Sequence, residues 1–375
     1  MAIPYGRQSI NDEDIAAVVE TLSTDWLTMG PKVAEFEAGI AARAGTADAA
    51  AVSSGTAALH AAYAGIGVRA GDEVITSPMT FVATAATAAL QGATIRFADV
   101  QEDTANIDPG AVAALVTAKT RVIAGVDYAG HPVDLDELAD IARSAGAVLL
   151  EDAAHSIAST YRGRPVGSIA DVTTFSFFPT KNLTTAEGGA VVATDALLLR
   201  GAREFSKQGL VRDPARLRYP DEGAWHQEVH EFGINYRLPD VLAALGLSQL
   251  TRLDAFKARR TAIFERYQAE LADLDGLGLP IRRDYVDPMW HLFPIRVREG
   301  RRREVFDYMR ANGVLVQVNY IPAYWHPVFE DLGYQRGMCP VAEQFYTEEI
   351  SLPMFAALTD DDQSRVIDVL RDALA

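Results

Sequence analysis

The sequence predicts an α/β fold in which helices cover both faces of a mostly parallel β-sheet. Short, mostly apolar runs alternate with segments of helical periodicity through the first two hundred residues. Strands that are buried on both faces read as nearly continuous apolar runs, and their alternation with helices is typical of parallel sheets. The predicted strands are residues 49–52, 73–76, 94–98, 121–126, 147–150, 172–177 and 190–193.

Helical periodicity predicts the elements between these strands. Asn11 is a good N-cap for the first helix, because Ile15, Val18 and Leu22 follow it at helical spacing. Further helices are predicted at residues 81–90 and 135–145, and a long helix with a break or kink is predicted over residues 238–274.

The sequence pattern changes after residues 276–278, where a glycine-rich turn is followed by a different arrangement of elements. A strand, a helix, a second strand and a final helix are predicted at residues 290–297, 303–311, 314–318 and 360–374. We therefore expect a large domain at residues 1–250 and a smaller α+β domain at residues 251–375. Residues 210–231 are polar and aperiodic, which indicates a long loop of the kind that is often functional.

Composition excludes several classes of protein. The net charge of −17 argues against nucleic acid or an anionic membrane surface as the main partner. Cys339 is the only cysteine, so an intrachain disulfide or a two-cysteine metal motif is excluded, and no metal site is expected. No apolar stretch approaches the ~20 residues of a membrane helix, and the first residues lack a signal-peptide pattern. We therefore expect a cytoplasmic enzyme.

Lys181 is the leading candidate for covalent chemistry. A Schiff base requires lysine, because arginine stays protonated and cannot form an imine, and the chain has only five lysines. Lys181 follows the apolar run 173–178, where a charge is costly unless it is neutralised or paired. The alternative is an exposed lysine in a loop between strands, the usual place for this residue type.

Asp152 ends a predicted strand, the position where ligands bind in parallel sheets. Its carboxylate could pair with the protonated pyridine nitrogen of pyridoxal 5′-phosphate (PLP). At an effective dielectric constant of about 20 and a separation of about 4 Å, such a pair contributes roughly 4 kcal/mol before desolvation. The alternative is that Asp152 caps a helix that starts at Ala153.

Residues 53–56 join a strand to a helix and could bind the cofactor phosphate. Gly55 permits close approach of the backbone, and the first-turn N–H groups favour an anion, although an ordinary capped helix start would look the same. Phe81 could stack on the cofactor ring or could lie in the core. Phosphate loop, aromatic residue, acid, Ser176 and Lys181 follow one another in the order of a fold-type I PLP enzyme.

Six short motifs support a family resemblance when they are taken together. They are residues 26–31 (WLTMGP), 54–59 (SGTAAL), 71–75 (GDEVI), 151–155 (EDAAH), 175–177 (FSF) with Lys181-Asn182, and 233–237 (GINYR). Over nearly its full length the chain resembles the DegT/StrS family of sugar aminotransferases. The resemblance implies a fold-type I PLP-dependent transferase that works as a homodimer with shared active sites.

The resemblance also implies a set of cofactor contacts. Lys181 would bind PLP as a Schiff base, and pyridoxamine phosphate would carry the amino group between the two half-reactions. Asn235 would reach the phosphate from the other subunit, and His155 stands where many members have Gln beside the ring oxygen. The implied cofactor-binding residues are Gly55, Thr56, Ala57, Phe81, Asp152, His155, Ser176, Lys181 and Asn235.

Three segments resemble one branch of this family more narrowly. Residues 3–10 (IPYGRQSI), 77–84 (SPMTFVAT) and 318–322 (VNYIP) are similar to the aminotransferases of the pseudaminic-acid pathway. This similarity implies amino transfer from L-glutamate to C4 of a UDP-4-keto-6-deoxy-N-acetyl hexose. The implied substrate-binding residues are Tyr5, Arg237, Tyr320 and Tyr324. Many relatives have His in place of Tyr324, whereas this chain has a histidine two residues further on, at His326.

Other functions are compatible with the same cofactor residues. The substrate could be a dTDP-3-keto sugar or a cyclitol, or the chain could be a PLP-dependent aminohydroxybenzoate-type synthase. A non-enzymatic PLP sensor would bring a DNA-binding domain, and no helix-turn-helix segment with a basic face is visible.

A nucleotide diphosphate would need nearby cations, and those nearest to the predicted site in sequence are Arg212, Arg216, Arg218 and Arg237. Alternatively, these loop arginines pair with Asp213, Asp221 and Glu222 on the surface.

Overall fold

The computed structural model describes residues 2–375, and helices alternate with short strands along most of this length. Its α-helices are α1 (Asp12–Leu22), α2 (Pro31–Ala44), α3 (Gly55–Ile66), α4 (Ala83–Leu90), α5 (Pro109–Leu115), α6 (Leu135–Ala145), α7 (Ala196–Phe205), α8 (Asp240–Thr251), α9 (Leu253–Leu271), α10 (Arg302–Ala311), α11 (Pro327–Glu330), α12 (Pro340–Glu348) and α13 (Asp360–Leu374). Its strands are β1 (Ile3–Pro4), β2 (Ala49–Val52), β3 (Glu73–Thr76), β4 (Thr94–Phe97), β5 (Thr120–Val126), β6 (Val148–Asp152), β7 (Thr160–Tyr161), β8 (Arg164–Pro165), β9 (Val172–Ser176), β10 (Gly189–Ala193), β11 (Leu210–Val211), β12 (Glu228–Val229), β13 (Leu277–Gly278), β14 (Val286–Asp287), β15 (Phe293–Val297), β16 (Val314–Leu315) and β17 (Glu349–Leu352).

Seven of these strands form the central sheet, in the order β2-β10-β9-β6-β5-β3-β4. Strand β10 is antiparallel to both of its neighbours, and the other pairs are parallel. The predicted α/β fold with a mostly parallel sheet is therefore confirmed. The seven strands predicted for this sheet match the observed ones to within about two residues, because a strand buried on both faces is marked by its apolar run.

Helices pack against both faces of the sheet. Successive side chains of a strand point to opposite faces, so Val191 packs with α3 and α7 while Ala190 and Val192 pack with α2 and α8. Helices α3 and α7 lie very close together at Gly65, where a Cβ atom would come within 2.6 Å of the Leu198 carbonyl oxygen. Glycine at this position therefore allows the two helices to approach each other over the sheet.

A second hydrophobic cluster lies in the C-terminal part of the chain. The antiparallel sheet β13-β15-β17 packs with α9, α10 and α13, and Ile3 from β1 joins this cluster. The predicted long helix is broken at Arg252, between α8 and α9. This break lies next to the proposed domain boundary at residues 250/251, and the boundary itself stays a prediction.

The predicted loop at residues 210–231 contains only small elements. Strands β11 and β12 form a two-residue antiparallel pair, and two 3-10 turns lie between them.

Between residues 2 and 375, no helix is long and apolar enough to cross a membrane. The same residues contain no group of three or more His, Cys, Asp and Glu side chains that could hold a metal ion.

Candidate active site

A cavity of about 610 Å³ lies at the carboxyl ends of the central strands. Val126, Asp152 and Ser176, the last residues of β5, β6 and β9, all contribute to its wall. The structure thus brings together side chains that are far apart in sequence. The predicted site residues that line it are Tyr5, Gly55, Thr56, Phe81, Asp152, His155, Ser176, Lys181 and Tyr320.

Lys181 presents its side chain to this cavity. Burial lowers the pKa of the Lys181 amine to about 8, and the nearby Asp152 carboxylate opposes that shift. Its amine has no hydrogen-bond or ion-pair partner among the residues that the structure describes. An amine that is half neutral near pH 8 and unpaired is suited to attack a carbonyl carbon. The alternative of an exposed loop lysine does not match this position.

Asp152 is almost fully buried at the end of β6, with 5% exposure. Its Oδ2 accepts a hydrogen bond of 2.6 Å from the Thr84 hydroxyl, and its Oδ1 accepts one of 3.2 Å from the Ala154 N–H. Burial raises the pKa of Asp152, while the Thr84 and Ala154 hydrogen bonds and the Lys181 charge counteract the increase. The residues that follow form turns rather than a helix, so Asp152 is not a helix cap.

The N-terminus of α3 forms a narrow cradle beside β9. Ser54 caps the helix by accepting the Ala57 N–H at 3.0 Å, so the expected capped helix start is present. A Cβ atom on Gly55 would lie 2.7 Å from the Ser176 side chain, so glycine keeps this gap open. The first-turn N–H groups, with Thr56 and Ser176 on the cavity wall, are suited to an anionic group.

Two histidines pack against each other beside Lys181. The rings of His155 and His291 are 4.2 Å apart between centroids, and His155 Nε2 lies 3.2 Å from the Tyr320 hydroxyl. Burial is the main cause that lowers the pKa of both rings well below the usual value, and Lys181 adds to it. The Nδ1 atoms of both rings are buried without a partner in the described chain. Two neutral imidazoles therefore keep unused hydrogen-bonding nitrogens near the cavity.

Comparison with known proteins agrees with this geometry. The family model described as the DegT/DnrJ/EryC1/StrS aminotransferase family matches residues 8–371. The chain belongs to this family. It is 40% identical over 376 residues to the spore coat polysaccharide biosynthesis protein SpsC of Bacillus subtilis (strain 168). The aligned region covers 99% of this chain and 96% of SpsC.

Solved structures of similar proteins have the same fold. Helicobacter pylori PseC, an aminotransferase of pseudaminic acid biosynthesis, superimposes with a TM-score of 0.93 at 30% identity, over 100% of this chain and 99% of that chain. The PLP form of a proposed sugar aminotransferase from Streptococcus pneumoniae superimposes with a TM-score of 0.93 at 29% identity, over 100% of both chains. The predicted family resemblance is confirmed.

Phe81 and Tyr320 pack together in this member of the aminotransferase family. Phe81 is 60% exposed, which excludes the alternative of a core position. Its ring makes an edge contact with Tyr320 at 6.3 Å between centroids. Both rings line the cavity, where an aromatic face could cover a planar ligand.

Tyr324 does not line the cavity, contrary to the expectation that it shapes a substrate pocket. It is fully buried, packs on Phe97, and donates its hydroxyl hydrogen to the Glu343 carboxylate. The 3-10 turn Ala323–Trp325 places Tyr324 in the core and leaves His326 on the cavity wall. His326 therefore replaces Tyr324 as the candidate for substrate contact at this end.

Three other predicted site residues lie outside the cavity within one protomer. Ala57 is buried with its N–H bonded to Ser54, as described above. Asn235 is exposed, and the Arg237 guanidinium donates to Gln208 at 2.9 Å. Cofactor and substrate roles for these residues stay predictions.

The loop arginines do not make the surface pairs that the sequence suggested. Arg216 forms an ion pair with Glu204, and Arg212 donates to Gln227 at 2.9 Å. The side chains of Arg212 and Arg216 therefore bind other partners than the carboxylates of Asp213, Asp221 and Glu222. Because Glu204 already neutralises Arg216, that residue is a weaker candidate for a nucleotide contact.

Sequence reasoning missed several residues that shape the site. His291 lies inside an apolar stretch that reads as strand core, and Thr84 is one of several threonines in residues 76–87. Asn182 appeared only as a neighbour of Lys181, yet its amide donates to the carbonyls of His155 at 2.7 Å and Met289 at 3.0 Å. No local signal separates these side chains from ordinary core residues, because their partners are remote in sequence.

Proposed function

We propose that this protein is a PLP-dependent aminotransferase that moves an amino group from L-glutamate to a nucleotide-linked keto sugar. The observation that carries this proposal is Lys181, an unpaired amine of lowered pKa that shares a cavity with the buried Asp152 carboxylate. Family membership supports the reaction type, and the PLP and pyridoxamine phosphate forms of the pneumococcal neighbour support the cofactor.

The side chains of the cavity fit PLP at each of its functional groups. Lys181 would bind the aldehyde carbon, Asp152 the pyridine nitrogen and Phe81 a face of the ring. The gap at Gly55 suits the phosphate, because a Cβ atom there would fill it. His155 lines the cavity and is the proposed hydrogen-bonding residue for the ring oxygen. When bound, PLP supplies the electron sink for the bonding electrons of the substrate α-carbon.

The protein's own residues supply charge, orientation and proton transfer. The Asp152 carboxylate stabilises positive charge at the ring nitrogen. The amine of Lys181, once free, would take a proton from the substrate α-carbon and deliver it to the C4′ carbon of the cofactor, which lies on the other side of the amino nitrogen. A pKa of about 8 suits both steps near neutral pH, because the amine can accept and release a proton without a large free-energy cost.

The proposed acceptor is C4 of a UDP-linked 4-keto-6-deoxy-N-acetyl hexose. The similarity to PseC supports this choice, as does the likeness of residues 3–10 and 318–322 to that branch. Tyr5, Tyr320 and His326 line the cavity and are the proposed sugar contacts. The relation to SpsC is also in keeping with a sugar substrate.

Steady-state kinetics with glutamate as donor should test the acceptor. We expect kcat/KM for the UDP 4-keto N-acetyl sugar to exceed that for a dTDP 3-keto sugar by at least tenfold, or about 1.4 kcal/mol of transition-state binding. A preference for the 3-keto sugar would overturn the C4 assignment and leave the aminotransferase function intact. Dehydration of an amino-dehydroshikimate-type substrate without amino transfer would instead favour the aminohydroxybenzoate-type synthase.

We further propose a homodimer in which each active site uses both subunits. Asp14 of helix α1 is buried, where it forms an ion pair with Arg252 and accepts a hydrogen bond from Gln249. On the outer side of the same helix, Ile15 and Val19 are 55% and 56% exposed. A helix whose apolar side is exposed normally has a partner surface. Phe232, which is 97% exposed, lies three residues from Asn235. A two-fold interface is the commonest closed arrangement, and it would cover such apolar surfaces.

Subunit mixing should test whether Asn235 completes the partner's site. Lys181→Ala and Asn235→Ala homodimers should both have low activity. A mixed dimer would contain one site with both changes and one intact site, so a one-to-one mixture with random pairing should regain about a quarter of wild-type activity. The control is the Lys181→Ala homodimer taken alone through the same mixing procedure, which should gain no activity. If activity stays at the level of the parents in verified mixed dimers, Asn235 does not act across the interface.

A further inference from the structure

Thr84 is the only side chain in residues 2–375 whose hydroxyl contacts the Asp152 carboxylate. Its Oγ1 lies 2.6 Å from Asp152 Oδ2, and both residues are at least 95% buried. Thr84 lies on the cavity wall as the second residue of α4. A short hydrogen bond from a hydroxyl to a carboxylate is stronger when the acceptor is charged than when it is neutral.

Neighbouring groups hold Thr84 in this position. The Tyr63 hydroxyl donates to the Thr84 carbonyl at 2.9 Å, which anchors the first turn of α4. The Thr80 hydroxyl lies 2.8 Å from the Thr84 hydroxyl and 3.0 Å from the Phe81 carbonyl. The Tyr63–Thr84 and Thr80–Thr84 contacts are buried, which limits exchange with water.

The direction of this hydrogen-bond chain depends on the charge of Asp152. An ionised carboxylate has no proton to give, so Thr84 must donate to Asp152, and the oxygen of Thr84 is then free to accept from Thr80. If Asp152 were protonated, it could donate to Thr84, which would donate to Thr80, and Thr80 would turn to the Phe81 carbonyl. The charged arrangement gains a charge-assisted hydrogen bond, which the neutral arrangement lacks.

We propose that Thr84 is a positioning residue that holds the Asp152 carboxylate ionised and fixes the orientation of its two oxygen atoms. The Ala154 N–H donates to Oδ1 of Asp152 and the Thr84 hydroxyl donates to Oδ2. Because each oxygen has its own donor, the two hydrogen bonds fix the plane of the carboxylate. The titratable groups that act on Asp152 or respond to its charge are Lys181, Glu151, Tyr63 and Tyr320. Of these, Lys181 favours the ionised form, and burial disfavours it, as stated above. The consequence for the cofactor rests on the proposed function, whereas the effect on Asp152 itself does not.

Thr84→Val removes the hydroxyl at nearly constant volume, and Thr84→Ser keeps it. In apo protein labelled with ¹³C-aspartate, with the Asp152 signal assigned by its loss in Asp152→Asn, Thr84→Val should raise the pKa of Asp152 by about one to two units. This is a ten- to hundredfold loss in its acid ionisation constant. Thr84→Ser should leave the titration near that of the wild type. Thr84→Ala is a second hydroxyl-free variant, and circular dichroism should confirm that each variant folds.

Thr87→Val is the matched control. Thr87 is buried on the same helix, and its hydroxyl donates to the Ala83 carbonyl at 2.8 Å rather than to Asp152. This control should leave the Asp152 titration unchanged. A wild-type titration in folded Thr84→Val or Thr84→Ala protein would overturn the proposal, and so would an equal shift in Thr87→Val.

A second measurement separates this proposal from the function on which its consequence rests. With ¹⁵N-labelled PLP bound, the pyridine nitrogen signal of Thr84→Val should move toward that of the neutral ring, and Thr84→Ser should not move. If the signal fails to respond to Asp152→Asn, the cofactor role of Asp152 is wrong. The apo titration would still decide the role of Thr84 in that case.

Discussion

Lys181→Ala should lower turnover by about 10⁴-fold while the protein stays folded. The variant loses both the amine that binds the cofactor and the group that moves the substrate proton, and a positioned acid–base group alone contributes up to about 10⁴-fold. The cofactor should still bind noncovalently, because the cradle at Gly55 and the Asp152 carboxylate are unchanged. Single-turnover kinetics with glutamate and absorbance of bound cofactor would measure the two effects.

Covalent labelling gives the control for this prediction. Borohydride should fix the cofactor to the peptide that contains Lys181 in wild-type protein, and to no peptide in Lys181→Ala. Lys119→Ala, which removes an exposed lysine, should behave as the wild type. Recovery of the label on Lys207 or another lysine would contradict the assignment.

The pKa of Lys181 adds a pH dependence with a definite sign. Only the neutral amine attacks an aldehyde, and burial lowers the pKa of this amine to about 8. The rate at which apo protein captures PLP should therefore rise as the pH increases through about 8 and level off above it. An inflection near 10.4, the value of an unperturbed lysine, would indicate that Lys181 is not the residue that reacts.

Asp152→Asn should lower both cofactor affinity and turnover by up to about a thousandfold. The substitution keeps the size of the side chain and removes its charge. At an effective dielectric constant of about 20, an ion pair at about 4 Å is worth roughly 4 kcal/mol, and each 1.4 kcal/mol corresponds to a factor of ten. Titration of apo protein with PLP would give the affinity, and kcat would give the effect on turnover.

The ionisation of Asp152 also predicts how activity falls in acid. Its pKa is raised above the usual value, so the carboxylate loses its charge at a higher pH than an exposed aspartate would. Activity should therefore decline as the pH falls through that raised pKa, and Asp152→Asn should lack this step. Asp140→Asn, a change at an exposed ion pair, is the control and should keep the acid limb. An unchanged acid limb in Asp152→Asn would contradict the role of this carboxylate.

The sequence by itself determined the central sheet and the core of the candidate site. Apolar runs set the strands because strands buried on both faces consist mostly of apolar side chains. Asp152 and Ser176 then fall at strand ends by position alone. Lys181 and Gly55 were found because few residue types can form an imine or leave a gap at a helix N-terminus. Such requirements are local, so a single sequence can show them.

Only the tertiary structure decided which other side chains join the site. Thr84 meets Asp152 across 68 residues, and His291 meets His155 across more than a hundred, so neither contact leaves a trace in local periodicity. Tyr324 was expected at the substrate pocket but lies in the core, because one 3-10 turn decides that Tyr324 is buried and that His326 lines the cavity. The helical spacing of Ile15 and Val19 predicted α1, but it did not predict that these two side chains are exposed. Periodicity shows that a helix has an apolar face, whereas only the tertiary structure shows whether the rest of the chain covers that face.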